Sequence, residues 1–248
     1  MKKFELTSEF ITNIFGTKLF RIKALIEFGN VKAGELGGFV EKEENLSQDG
    51  NAWVYDNARV YGDACVCGDA CVYDNAWVYG NARVHGNACV YGDACVCGDA
   101  RVYDNAWVYG NARVYGDACV YDNAWVYGNA CVYGDACVCG DACVYDNAWV
   151  YDNARVYGDA CVYGDARVCG DACVYGDAGY ATVHGFGSEY RTTTFFKTKA
   201  GVGVKCGCFY GNLSEFRKKV VETHGETKKA KEYLMLADLM EFRFSDNS

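Results

Sequence analysis

Long hydrophobic runs are missing from this chain of 248 residues. No stretch nears the roughly 18 consecutive apolar residues of a membrane-spanning helix, so no membrane association is expected. The opening MKKFELTSEF has the basic residues of a secretory signal but not the apolar run that follows them, and the cytoplasm of the producing or host cell is the expected location. Lysine and glutamate are missing from residues 51–178, where 17 Asp stand against 6 Arg and the formal charge is −11. The first 50 residues sum to −1 and the last 70 to +3, giving −9 for the whole chain. Phosphate binding draws on clustered Lys and Arg, so this acidic centre argues against a nucleic-acid binder. Histidine is scarce as well, at 3 residues.

Apolar residues make up 51% of the chain, enough for a sizeable core in one or two domains. The 16 cysteines would suggest a disulfide framework in a secreted protein. Without an export signal, and with 14 of them at equivalent places in a repeat, they read as reduced thiols.

From Asn51 the sequence runs NAWVYD NARVYG DACVCG DACVYD and continues without insertion to DACVYG at 171–176, which makes 21 hexads. A fixed short period of this kind signals a stacked repeat architecture. Each hexad reads (Asp/Asn)-Ala-x-Val-(Tyr/Cys/His)-(Gly/Asp), so Ala and Val share one side of an extended segment and x and the aromatic share the other. Val fills space; Ala is small enough for a tight corner. The Gly-Asp, Asp-Asn and Gly-Asn pairs between strands tolerate the backbone angles of a turn. So short a strand buries its inner side only when successive coils stack.

The spacing of Val54 to Ala58 and Val60 to Ala64, an aliphatic residue followed by a small one four positions later, resembles the left-handed β-helix of the hexapeptide-repeat superfamily. That resemblance implies a mainly β fold, a left-handed parallel β-helix of about seven three-hexad coils. At roughly 4.8 Å per rung it would be about 34 Å long. Family members commonly trimerise, which implies a homo-oligomer. Many are acyltransferases that use a His base and a loop leaving the helix. Here His85 stands at an ordinary Tyr position, His184 follows more than five coils later and no loop interrupts the hexads, so catalysis is not expected and no cofactor is assigned. The run from Leu19 to Gly62 and the segment TTTFFKTKAGVGVKCGCFYGNLSEFRKKVVETHGETKKAKEY resemble uncharacterised bacterial and phage-borne hexapeptide-repeat proteins and their C-terminal module.

If residues 18 apart stack, three outer faces follow. The first carries Tyr55, Tyr73, Tyr91, Tyr109, Tyr127, Tyr145 and Tyr163 beside Trp53, Cys71, Cys89, Trp107, Trp125, Cys143 and Cys161. The second carries Arg59, Trp77, Cys95, Arg113, Cys131, Trp149 and Arg167; the third Cys65, Arg83, Arg101, Cys119, Cys137, Arg155 and Cys173. Outward aromatics in these numbers mark a contact surface, with rings that simply cover one another as the plainer alternative. The candidate binding ladder is therefore the seven tyrosines of the first face with Trp53, Trp107 and Trp125. Tryptophans recur at uneven intervals, as expected of duplicated hexads under selection for folding.

Pairs such as Cys65 with Cys67, Cys95 with Cys97 and Cys137 with Cys139 offer two thiolates, short of the four ligands of structural zinc. Cys206 and Cys208 have the same shortage. The carboxylate columns Asp99, Asp117, Asp135 and Asp141, Asp159, Asp177 could in principle hold calcium, but Asp is also a turn residue. No metal site is assigned.

Three units are expected: a β-hairpin cap over 1–50 turning near Gly16-Thr17, the repeat helix over 51–185, and a ββαα module over 186–248. In the last, strands flank Ala200-Gly201. A first helix begins at Asn212 with a capping box to Glu215 and ends at Gly225. A second, over about 227–242, places Ala230, Tyr233, Leu234, Ala237 and Met240 on one face. Lys218, Lys219, Lys228, Lys229 and Lys231 give it a basic side, most simply a solvated one. The expectation is a non-catalytic scaffold that carries this module at a distance; the rival readings are an acyltransferase-like enzyme and a phage-encoded protein binding a host partner or small ligand.

Overall fold

The computed structural model describes residues 2–187, 189 and 191–245, and the side chain of Asp177 lies outside that description. The column Asp141, Asp159, Asp177 is thus placed only in its first two members, and the 186–248 module without residues 188, 190 and 246–248.

Each hexad forms one rung whose regular core is the x-Val pair, as at Trp107–Val108 and Cys119–Val120. Rungs 18 residues apart pair in parallel and in register: Cys89 with Trp107, Cys95 with Arg113, Arg101 with Cys119. Three parallel sheets result, two of 7 strands and a third that continues into the N-terminal segment as a 10-stranded sheet. Every repeat Val and Ala is buried, and together they form one continuous core. The hydrogen bonds run between coils, as where the Tyr55 N–H donates to Val72 O at 2.8 Å and the Arg59 N–H to Ala76 O at 2.9 Å.

The sixth hexad position turns the corner in the left-handed region. Its glycines hold φ of 63–74°, and Asp56, Asp74, Asp104, Asp122, Asp146 and Asp152 hold 51–60°. Asp tolerates this conformation better than most residues with a Cβ. Four of these aspartates gain a compensating bond, because Asp74, Asp122, Asp146 and Asp152 accept from the N–H groups of Gly92, Gly140, Gly164 and Gly170 in the next coil.

The N-terminal segment is more than a hairpin. Strands β1 (Phe4–Thr12) and β2 (Lys18–Ala24) pair antiparallel, and β3 (Leu36–Val40) joins β2 before running parallel to Arg59–Val60. Leu46 bridges Val66 in parallel, so residues 36–50 make an additional coil of unrepetitive sequence and the solenoid has about eight turns. Gly37 and Gly38 permit this: a Cβ there would lie 2.5 Å from Val54 O and 2.6 Å from Ala58 O. Lys3 is buried in the cap, where its ammonium donates to Ala52 O at 3.0 Å and burial lowers its pKa to about 8.

The C-terminal module also has more strands than the sequence suggests. The sequence GYATVHGFGSEYRTTT at 179–194 breaks the hexad pattern and so reads as a linker, yet within it Tyr180–Val183 pairs with Thr193–Thr198, which is followed in the antiparallel sheet by Gly201–Cys206 and Phe209–Asn212. Helices α1 (Leu213–His224) and α2 (Lys228–Phe244) pack on this sheet. The Asn212–Glu215 capping box forms, with both bonds at 2.9 Å. Leu236 and Phe244 complete the buried face of α2, while Leu234 is only partly buried. The module is not held at a distance. Phe196 is buried in the same core as the solenoid valines, the Arg167 N–H donates to Thr194 Oγ1 at 3.0 Å, and Ala172 bridges Thr198. It closes the far end of the core as the N-terminal strands close the near end.

Candidate functional site

The 18-residue register brings the ladder together. Tyr55 stacks on Tyr73 at 4.4 Å, and Tyr91, Tyr109, Tyr127, Tyr145 and Tyr163 form a run with centroids 4.8–5.3 Å apart. That spacing is the rung spacing itself. Beside the tyrosines, Trp107 stacks on Trp125 at 5.6 Å. Each indole also meets a tyrosine of the preceding coil edge-on, Tyr91 at 5.9 Å and Tyr109 at 6.2 Å. One face therefore carries a tyrosine column that widens to two aromatic columns at Trp107 and Trp125, with cysteines at the neighbouring positions of the coils on either side.

Exposure divides its members. Trp107 and Trp125 are 37% and 41% exposed, whereas the tyrosines from Tyr55 to Tyr145 are half-covered by one another. Trp53 does not belong to the outward ladder. It is fully buried, edge-on to Phe4 at 6.2 Å and Phe28 at 5.4 Å, because the N-terminal cap folds over the first rung. Burial also raises the phenols: Tyr55 and Tyr127 are each pushed up to about 12, with the neighbouring Cys71 and Cys143 adding to the shift.

Aromatic stacking is not confined to this face. Tyr61 stacks on Tyr79, Tyr115 on Tyr133 and Tyr133 on Tyr151, and the third face has His85, Tyr103 and Tyr121 in one stack. The same spacing read at the fifth hexad position would have found these as readily as the first set. His85 lies 5.0 Å from Tyr103 at an interplanar angle of 4°, a ladder position rather than a cleft. His184 instead sits 3.2 Å from Thr192 Oγ1 in the C-terminal segment.

On the second face, small cysteines between large indoles leave a groove of about 710 Å³ from Trp77 to Trp149. Arg59 and Arg167 stack over these two indoles, each 5.1 Å from the ring. Inside the groove Cys97 is held below the ordinary thiol range, first by its hydrogen bond with Cys95 and further by Tyr79 and Arg113, while Cys95 is pushed up. Among the described residues no three His, Cys, Asp or Glu side chains group as a metal site. The first hexad position forms amide ladders: Asn111 donates to Asn129, Asn129 to Asn147 and Asn147 to Asp165, each at 3.2 Å.

Comparison with known proteins matches this architecture. Residues 52–68, 70–86, 94–110, 106–122, 112–128, 148–164 and 154–170 match the family described as the YdcK beta solenoid repeat. The uncharacterized acetyltransferase YdcK of Escherichia coli (strain K12) is 40% identical over 63 residues, which are 23% of this chain and 19% of that protein. The match thus spans less than a fifth of that relative's length.

Proposed function

We propose, from the place of these repeats in the hexapeptide-like β-solenoid family, that the protein is a non-catalytic scaffold whose first face associates with a second copy of the chain. The observation that carries this reading is the exposed Trp107–Trp125 stack set into the tyrosine ladder. Wide aromatic surfaces with little charge are typical of the centres of protein interfaces. A rigid, in-register strip is also already ordered, so little side-chain entropy is lost on association. Sedimentation equilibrium tests it: the wild type should exceed the 27.3 kDa of one chain, and Trp107→Ala with Trp125→Ala should shift it towards that mass. A wild-type monomer at about 50 µM, well above the dissociation constant of a stable oligomer, would sink the reading.

A second reading has one observation in its favour, the name acetyltransferase carried by the relative. Its test is turnover of acetyl-coenzyme A with amine acceptors. The unbroken run of hexads and the stacked setting of His85 favour the scaffold.

A further inference from the structure

The C-terminal module contains a pocket of about 260 Å³ that neither the ladder nor the solenoid uses. It opens where the turn after Cys206 meets the last turns of α1. Its floor is an aromatic cup. Phe209 and Phe216 lie 5.5 Å apart, Phe216 meets Tyr233 edge-on at 5.7 Å, and the His224 ring stacks on Tyr233 at 5.8 Å. Cys206 in the lining is already engaged, since the buried Thr193 donates its hydroxyl to Cys206 Sγ at 3.1 Å.

The mouth is cationic. Arg191 and Lys219 both line it beside the single lining carboxylate of Glu189, and among the described residues their ion pairs are loose, Arg191 with Glu189 and Lys219 with Glu222, each at 3.9 Å. Gly207 makes room for the guanidinium, since a Cβ there would come within 2.7 Å of Arg191 Nη1. Aromatic cups also bind organic cations, but two fixed positive charges at the entrance oppose that occupant. An apolar body with one negative group satisfies both parts of the site.

We propose that this pocket binds a small flat carboxylate, with its ring system in the Phe209–Phe216–Tyr233 cup and its carboxylate held by Arg191 and Lys219. Size sets the scale: a cavity of roughly 150 Å³ takes benzene, so this one accommodates a fused bicyclic acid of about 13 non-hydrogen atoms. Charge-assisted bonds to Arg and Lys supply the preference for an anion.

The experiment is a titration of the full-length protein with 2-naphthoate and with its neutral isostere 2-naphthamide, followed by amide ¹H–¹⁵N correlation spectra. The expected result is saturable naphthoate binding with a dissociation constant below about 1 mM. Shifts should be confined to Arg191, residues 206–209 and 216–224, and Tyr233 with its helix neighbours, and naphthamide should bind about tenfold more weakly, as loss of the charge-assisted contacts requires. Arg191→Ala with Lys219→Ala changes two exposed side chains and should weaken naphthoate by about tenfold or more while leaving the rest of the spectrum in place. Val220→Trp, which fills the pocket, should abolish binding. Non-saturable shifts, shifts mapping to the tyrosine ladder, equal affinity for the amide, or wild-type affinity in the double variant would each overturn the proposal.

Discussion

At the corners, one atom decides what a residue may be. Gly116 holds φ of 73° and stacks on Gly134, with a hypothetical Cβ 3.0 Å from the Gly134 nitrogen. An aspartate at the equivalent position of other coils meets the same geometry and turns it into a bond, as Asp152 does with the Gly170 N–H at 3.3 Å. Gly116→Asp should therefore change unfolding free energy by less than about 1 kcal/mol, whereas Gly116→Val, β-branched in the left-handed region and without an acceptor, should cost about 2 kcal/mol or more. Urea denaturation of the two variants checks the difference. Lys3 is the other residue with a sharp expectation. Its pKa, lowered to about 8 in the fold, means that the unfolded chain binds the extra proton between pH 8 and 10.5. Its share of stability thus rises with pH across that window and is flat below it. The neutral Lys3→Met variant lacks this response, so wild type should gain about 2.5 kcal/mol relative to it between pH 8 and 10.5. Equal pH profiles in thermal melts would contradict the buried-ammonium account. The valines, alanines and corner residues were legible in the sequence because one short period fixes all of their environments together. Lys3 was not, because its burial depends on a strand that arrives from outside the repeat.

Elements inherit their chemistry from register. A parallel sheet places like over like every 18 residues, so a tyrosine column becomes a stack of half-desolvated phenols. Tyr55, Tyr61, Tyr127 and Tyr133 are each pushed up to about 12, in every case chiefly by burial. Phenols that ionise late in the fold and near 10 when unfolded stabilise the native state fully only below pH 10, and that contribution drains away as pH rises towards 12. Absorbance at 295 nm should accordingly show these ladder tyrosines silent at pH 10.5 in the native protein, followed by cooperative alkaline unfolding that exposes them together. A smooth titration centred near 10 with the fold intact would mean the rings are not stacked. Here the sequence and the structure part company in an instructive way. The 18-residue spacing placed Trp107 and Trp125 on one outward column, where they are, but could not show that Trp53 in the same column would be roofed by Phe4 and Phe28. Tyr180–Val183 was likewise read as a linker because it breaks the hexad pattern. Its partner strand Thr193–Thr198 supplies the pairing, and no local signal announces a partner about ten residues further along the chain.

For the molecule as a whole, the two ends matter more than any single coil. A solenoid with a Val and Ala interior has an open cross-section at each end, and exposed core there invites further stacking by another chain. The N-terminal strands close one opening and Phe196 closes the other from the C-terminal sheet, assisted by Tyr180, which is buried against the last rungs and places its hydroxyl 3.3 Å from the Tyr163 nitrogen. The module is therefore a lid with its own second core, and the pocket proposed for a small carboxylate lies in that core rather than in the rod. Sharing Phe196 couples the two units: if it is removed, each retains most of its packing but loses the side chain that links them. Phe196→Ala should cost about 3–5 kcal/mol at the junction and split a single calorimetric transition into two, the module melting first and the rod later. The freed solenoid end should then show concentration-dependent association beyond the oligomer that the wild type forms at the same protein concentration. One sharp transition in the variant, at a merely lower temperature, would mean that the coils and the lid fold as one unit regardless of Phe196, with the contacts of Thr194 and Ala172 sufficient to carry the coupling.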